Sequence, residues 1–205
     1  MSTTKAQIES AIKTALDYPS YMTLMQELVH KGMSTGLEQS DALTNYTLLN
    51  NKRIKRLNKT LSVSAQVQAR IQNYPKDIRF LVLTESWCGD AAQSLPMVSK
   101  IAACQPNWSV SLISRDEHPV LMDAYLTNGG RSIPKVLILD KNTLEVLSHW
   151  GPRPAVATKM AADYKEIHGS LDANFKASLQ LWYNKDKGQS TLEDFIALLG
   201  LEYPT

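Results

Sequence analysis

The chain has 205 residues, 43% of them hydrophobic, and is therefore long enough to bury a substantial core. Its 22 basic and 20 acidic residues leave a formal charge of +2, which argues against a surface built to bind nucleic acid. The two cysteines, Cys88 and Cys104, are too few for a disulfide framework and lack the spacing of a zinc site. We expect a cytoplasmic protein with reduced thiols, without a secretory signal, a membrane-spanning segment or a bound metal.

Apolar residues repeat at helical spacing through the N-terminal third of the chain. Segments 8–16 and 22–29 carry the first two apolar stripes, and further helices are predicted over 41–59 and 64–74. Met and Leu at such spacing usually form core rather than a cofactor pocket. We interpret residues 1–74 as a helical extension packed on the core. In the third helix we expect four residues to face inward: Leu43, Tyr46, Leu49 and Ile54.

Strands and helices alternate from about residue 75 onward. Strands are predicted at four segments: 78–85, 108–116, 133–140 and 144–150. The last two are joined by the turn residues Lys-Asn-Thr, which indicates a β-hairpin. Helices are predicted over 88–104 and 119–130. This order of strands and helices predicts that residues 75–168 form an α/β core. A mixed sheet would lie between two helical layers, as in a three-layer α/β/α sandwich.

The C-terminal part of the chain returns to a helical pattern. Residues 152–184 predict helix with a break near Gly169, and the last helix carries a capping box formed by Ser190 and Glu193. We assign residues 169–205 to a C-terminal helical extension.

The chain resembles the thioredoxin fold at three separated points. Trp87-Cys88-Gly89 lies where the first core strand gives way to a helix, as the reactive cysteine does in thioredoxins. Pro96 matches the proline that kinks this helix in the family. Ile133-Pro134 resembles the family's cis-proline segment, which faces the cysteine. The resemblance implies thiol chemistry on a thioredoxin-like fold.

A narrower resemblance is visible in Trp-Cys-Gly-Asp, Gly-Gly-Arg-Ser-Ile-Pro-Lys and Trp-Gly-Pro-Arg-Pro behind a helical prefix. These segments are similar to a bacterial thioredoxin-like subgroup whose members often lack the second, resolving cysteine. Ala91 stands where that cysteine would be expected. Val82 occupies the position of the buried acid that assists proton transfer in thioredoxins. The resemblance therefore implies a degenerate CxxC site, with two parts of the dithiol mechanism missing.

The chemistry of a single cysteine follows from its place at a helix start. Cys104 is 16 residues further along the same predicted helix, about 24 Å away, whereas a disulfide needs Cα atoms within about 7 Å. We therefore expect Cys104 to be a small buried hydrophobe. The helix terminus favours the Cys88 thiolate and Asp90 opposes it, so we expect an exposed thiol with a pKa of about 7–8.5.

Seven residues are candidates for the site. The catalytic candidates are Cys88 and Asp90, and the substrate-binding candidates are Trp87, Gly89, Arg131, Ile133 and Pro134. Asp90 is either an ordinary first-turn carboxylate or a proton acceptor for an incoming thiol. Arg131 should lie near the same face and partly offset the charge of Asp90. The backbone beside Pro134 would accept an extended substrate segment by strand addition.

A basic run on the third helix has two interpretations. Its members are Lys52, Arg53, Lys55, Arg56 and Lys59. They form either a solvated face or, through Arg53 and Arg56, a site for a carboxylate-bearing thiol such as glutathione.

Three functions remain open from the sequence. The first is a monothiol oxidoreductase that acts on a protein disulfide or a small thiol and uses no cofactor beyond an external low-molecular-weight thiol. The second is a non-catalytic module that binds proteins through the degenerate site. The third is an iron–sulfur carrier, since Cys-Gly-Asp-Ala is similar to the Cys-Gly-x-Ser of monothiol glutaredoxins.

Overall fold

The computed structural model describes residues 3–203. A mixed five-stranded sheet lies at the centre of the described residues. The elements in chain order are α1 (Thr3–Thr14), β1 (Leu16–Asp17), α2 (Tyr18–Lys31), α3 (Asp41–Thr60), α4 (Ala65–Gln72), β2 (Ile78–Thr84), α5 (Gly89–Ala102), β3 (Ser109–Ser114), α6 (Pro119–Asp123), β4 (Lys135–Asp140), β5 (Val146–Trp150), α7 (Ala155–His168), α8 (Ala173–Asp186) and α9 (Gln189–Leu198). None of the helices within the described range is both long and apolar enough to cross a bilayer.

The central strand is β2, and its apolar sequence reflects burial on both faces. Every residue of β2 except Arg79 is buried. Phe80 lies opposite Val110 of the parallel strand β3 and opposite Ile138 of the antiparallel strand β4. Strand β5 pairs antiparallel with β4, and the strand order is β1-β3-β2-β4-β5. The predicted mixed sheet, hairpin and α/β/α sandwich are confirmed.

The N-terminal extension, α9 and the sheet share one hydrophobic core. Ile8 of α1, Met25 of α2, Phe80 of β2 and Phe195 of α9 belong to the same buried cluster. The rings of Phe80 and Phe195 meet edge to face with centroids 5.5 Å apart. These helices are thus parts of the packing that holds the sheet, since burying one such side chain is worth about 1.5–3 kcal/mol.

The inward face of α3 differs from the predicted one. Tyr46 is 47% exposed and Leu49 is 42% exposed, whereas Ile54 is buried as expected. Two polar residues, Thr47 and Asn50, are fully buried instead. The prediction was wrong because it followed apolar residues alone, while these polar side chains find hydrogen-bond partners inside the protein.

Short elements and caps account for the remaining differences. Leu16, assigned to the first helical stripe, lies in β1, which is too short to carry an alternating pattern. Helix α6 stops at Asp123 rather than near residue 130, where Thr127 and Gly130 exchange backbone hydrogen bonds in a turn. The predicted capping box is absent, because the N-cap of α9 is Gly188, two residues before Ser190, and Ser190 bonds to Asp186 of α8.

Ser86, which follows β2, connects the N-terminal extension to the sheet through hydrogen bonds. Its Oγ accepts a 2.9 Å hydrogen bond from the Thr35 N–H and lies 2.8 Å from Thr47 Oγ1. Its N–H donates to Thr35 Oγ1 at 2.7 Å, and its carbonyl accepts from Asn50 Nδ2 at 3.0 Å. Because Ser86 is only 2% exposed, water cannot replace these partners. The network holds α3 above the start of α5.

Replacing Ser86 by alanine should lower the free energy of unfolding by about 2–3 kcal/mol. The substitution leaves the Thr35 N–H and the buried Thr47 hydroxyl without their shared partner, and an unsatisfied buried group costs about 1–3 kcal/mol. Urea denaturation would measure the change. The exposed Ser178→Ala variant is the control and should stay within about 0.5 kcal/mol of wild type. Equal stability of the two variants would contradict the anchoring role.

Candidate active site around Cys88

The sulfur of Cys88 lies at the N-terminus of α5, against the loop that precedes β4. Cys88 caps the helix, and its Sγ accepts a 3.4 Å hydrogen bond from the Ala91 N–H. The thiol donates to the Ile133 carbonyl at 3.3 Å. The Ile133–Pro134 peptide bond is cis. The thiol therefore makes one contact that stabilises a thiolate and one that requires the proton.

Cys88 is more buried, and its thiol has a higher pKa, than the sequence predicts. The residue is only 7% exposed. Burial, followed by the charge of Asp90, raises the pKa of the Cys88 thiol to about 12. The first-turn N–H groups lower that pKa, but by less. Both the expected exposure and the expected pKa of about 7–8.5 were wrong, because desolvation outweighs the helix terminus.

Asp90 is held in place by two side chains from the C-terminal part of the chain. Arg153 Nε lies 2.8 Å from Asp90 Oδ2, and the Tyr183 hydroxyl donates to Asp90 Oδ1 at 3.0 Å. Burial raises the pKa of Asp90, while Arg153 and Tyr183 lower it. Arg131, expected near the same face to offset part of the charge of Asp90, instead forms a bidentate ion pair with Asp123 at 2.6 and 2.7 Å.

Arg153 reaches Asp90 because the loop after β5 packs directly on Pro134. A Cβ at Gly151 would lie 2.0 Å from the Pro134 carbonyl oxygen, and Gly151 has a φ of 111°, so only glycine fits. Lys135, which is 2% exposed, donates to the Gly151 carbonyl and to Thr127 Oγ1. These contacts position the loop that carries Arg153.

A cleft of about 590 Å³ opens beside the sulfur, within the roughly 300–1,000 Å³ range of small-molecule sites. Five candidate residues line it: Trp87, Cys88, Gly89, Asp90 and Ile133. Pro134 is buried behind Ile133, and Arg131 points elsewhere; neither lines the cleft. The remaining walls come from α3, from Arg153 in the loop after β5, from α8 and from Leu171 in the segment before α8.

Two helices approach the start of α5 closely. A Cβ built at Gly89 would lie 3.7 Å from Arg53 Nη1 of α3 and 3.8 Å from Gln180 Nε2 of α8. Of the two arginines proposed for the thiol site, Arg53 borders the cleft, whereas Arg56 donates to Asn184 of α8 at 2.7 Å. Arg53 and Gln180 thus lie close to the residue that follows Cys88, and Cys88 itself lines the cleft between the two helices.

Sequence reasoning missed several residues around the sulfur. Arg153 lies in the Trp-Gly-Pro-Arg-Pro segment, which was quoted for the resemblance but given no role. Gln180 and Tyr183 carry no local signal, because only the folded chain brings them to residues about 90 positions away. Glu85 was also overlooked. It is 1% exposed, and its Oε1 accepts hydrogen bonds from Ser114 Oγ and the Asp116 N–H.

Comparison with known proteins supports the fold and its assignment. Residues 36–165, more than half of the chain, match the thioredoxin family model. The chain belongs to the thioredoxin family. A protein of unknown function from Pseudomonas aeruginosa is similar in structure, with a TM-score of 0.65, 18% identity and coverage of 93% of this chain and 95% of that one. An HIV epitope scaffold gives a TM-score of 0.64, 18% identity and coverage of 94% and 96%. No match was found among curated proteins.

Metal ligands are not grouped in the part of the chain that the structure describes. No cluster of three histidine, cysteine, aspartate or glutamate side chains suited to a metal ion occurs within residues 3–203. A two-iron cluster has four protein ligands, so one held by Cys88 would need at least two of them from outside residues 3–203.

Alkylation of Cys88 should rise about tenfold per pH unit between pH 7 and pH 9. Far below a pKa of about 12, the thiolate fraction grows tenfold with each unit. The rate with iodoacetamide would be followed by intact mass spectrometry in a Cys104→Ala background, with the Cys88→Ser, Cys104→Ala double variant as the blank. A plateau below about pH 9 would mean that burial does not control the thiol.

Asp90→Asn should accelerate the same alkylation about three- to tenfold at pH 8. The substitution removes the charge that opposes the thiolate and leaves Arg153 to stabilise it, although a lower pKa also makes the sulfur a weaker nucleophile. Asp123→Asn, which alters an exposed ion pair elsewhere, is the matched control. An unchanged or slower rate in Asp90→Asn would refute this electrostatic role.

Proposed function

We propose that this protein is a thiol oxidoreductase that works through the single nucleophilic sulfur of Cys88. The observation that carries the proposal is the position of that sulfur, at the N-terminus of α5 and on the wall of a cleft large enough for a small molecule. Membership of the thioredoxin family supports a redox role.

The proposed reaction consists of two thiol–disulfide exchanges. Cys88 loses its proton, and Sγ attacks one sulfur of the substrate disulfide. The new Sγ–S bond forms as the substrate S–S bond breaks, and the departing thiolate takes up the proton. A low-molecular-weight thiol from solution then attacks the mixed disulfide. It returns Cys88 to the thiol form and leaves with the substrate sulfur as a new disulfide.

No second cysteine of the chain is placed to resolve the mixed disulfide. Ala91 occupies the position of a resolving cysteine in the first turn of α5 and is 1% exposed. Cys104 lies beyond the other end of α5, where its thiol donates to the Lys100 carbonyl at 3.2 Å. The resolving thiol must therefore come from outside and enter through the cleft.

The raised pKa sets the expected speed of this chemistry. At pH 7 a thiol with a pKa of about 12 is ionised in about one molecule in 10⁵, compared with a few per cent for an ordinary cysteine. The greater intrinsic nucleophilicity of a basic thiolate recovers a factor of about 30–60. The uncomplexed protein should thus react about a hundredfold more slowly than a free thiol, and rapid exchange would require a bound substrate to displace the buried environment.

The same neutral, buried thiol favours a second candidate function. A thioredoxin-family protein could use the cleft to bind a ligand without electron transfer, with Cys88 serving as a packed side chain. A ligand of such a module would remain bound in Cys88→Ser, whereas a covalent intermediate would be lost.

Cys88→Ser should abolish exchange, and Cys104→Ser should leave it unchanged. The assay follows reduction of bis(2-hydroxyethyl) disulfide by excess thiol, after subtraction of the uncatalysed rate. Serine cannot form the mixed disulfide, while Cys104 is remote from the cleft. If the wild type and Cys88→Ser gave the same turnover, the oxidoreductase proposal would be wrong and the binding role would be favoured.

A further inference from the structure

The charges around the cleft do not balance. Three cations, Arg53, Arg153 and Lys176, line it together with one acid, Asp90. Asp90 is already paired with Arg153 at 2.8 Å. The cleft therefore carries surplus positive charge next to the sulfur, on Arg53 and Lys176.

Arg53 is the more informative of the two surplus cations, because Lys176 is exposed at the rim. Its guanidinium donates to Asn50 Oδ1 at 3.1 Å, and among residues 3–203 it forms no ion pair. Burial, followed by the neighbouring Arg56, lowers the pKa of Arg53, while Tyr46 and the more distant charge of Asp90 raise it. A partly desolvated guanidinium with no carboxylate at ion-pair distance is unfavourable, and a bound anion would relieve it.

Most of the remaining lining of the cleft is apolar. Its apolar side chains include Leu43, Tyr46, Trp87, Leu171, Phe175 and Leu179, and Gln180 is the polar exception. Such walls bind a hydrocarbon or aromatic portion of a ligand, while one charged group fixes its orientation.

The residues that bury the Cys88 sulfur argue against a polypeptide as its partner. Strand addition at the loop before β4 would need free backbone there, yet Ile133 is 7% exposed and its carbonyl already accepts the thiol. On both sides of Gly89 the side chains of α3 and α8 close the approach. A folded protein could not place an extended segment against Cys88 without moving α8.

We infer that the cleft binds a small molecule with one carboxylate and an apolar portion, and that Arg53 receives the carboxylate. A single unpaired guanidinium matches the planar, singly charged carboxylate. That this molecule is the thiol or disulfide partner of Cys88 rests on the proposed function. The binding site itself does not.

The first arm of the test measures binding without chemistry, in the Cys88→Ser variant. Calorimetry would compare 3-phenylpropanoate with the neutral 3-phenylpropan-1-ol. The carboxylate should bind about 10- to 100-fold more tightly, and Arg53→Gln should remove that advantage. Arg53→Lys, which keeps the charge, should retain part of it. Lys55→Gln, an exposed cation of the same helix outside the cleft, should behave as the parent.

The second arm measures the rate at which disulfides of different charge attach to Cys88 in a Cys104→Ala background. The probes are 3,3′-dithiodipropionate, bis(2-hydroxyethyl) disulfide and cystamine, which are anionic, neutral and cationic. The anionic probe should react fastest below saturation, by about tenfold over the neutral one. Arg53→Gln should erase the difference and leave the neutral probe unchanged.

The outcomes separate this inference from the proposed function. Arg53-dependent binding of the carboxylate without attachment of any disulfide would support the site and overturn the redox role. Mixed disulfides could instead form at Cys88 at rates that depend neither on the charge of the probe nor on Arg53, with equal binding of the acid and the alcohol. That result would overturn the inference and support the oxidoreductase proposal. Failure of both binding and attachment would overturn both.

Discussion

The hydrogen bonds of Ser86 decide what kind of site this thioredoxin-family protein presents. They join the end of β2 to Thr35 before α3 and to Thr47 and Asn50 on α3 itself. Because α3 is thereby held above the start of α5, Nη1 of Arg53 lies 3.7 Å from the point that a Cβ on Gly89 would occupy. The same approach removes water from Cys88, and desolvation is the largest cause of its raised pKa. A polar network thus converts a helix start, which ordinarily activates a thiol, into a covered one.

Helix α8, which lines the cleft together with α3, is held to the rest of the protein by contacts of a different kind. Helices α7 and α8 pack on each other through a separate apolar cluster, and α8 meets the rest of the site through polar contacts. The contacts are Tyr183 with Asp90, Gln180 with Gln93, and Asn184 with Arg56. Since each such bond contributes only about 0.5–1.5 kcal/mol, the position of α8 over the cleft is held more weakly than the sheet beneath it.

The elements that sequence could predict are those with a local signature. The buried run of β2, the β4–β5 hairpin and the helix start at Cys88 each follow from neighbouring residues. The site could be predicted only in part, since the burial of Cys88 and the partner of Asp90 are set by helices far away in the chain. Arg131 was expected near Asp90 because it is close to Pro134 in sequence, whereas the fold of the loop after β5 brings Arg153 to Asp90. The burial of Thr47 and Asn50 on α3 was not predicted, because hydrophobic residues alone were used to assign the inward face of that helix.

The missing second cysteine and the burial of the Cys88 sulfur together limit the size of the molecules that can react there. In the proposed mechanism the substrate's departing thiol must leave through the cleft, and the resolving thiol must enter through it, because Ala91 cannot complete the exchange from within. Both molecules therefore have to fit a space of about 590 Å³. A dithiol protein escapes this limit, since its second sulfur resolves the mixed disulfide while a large substrate still occupies the surface. In the proposed mechanism a single buried cysteine is thus better matched to small thiols than to proteins, and the role inferred for Arg53 would favour small thiols that carry a carboxylate.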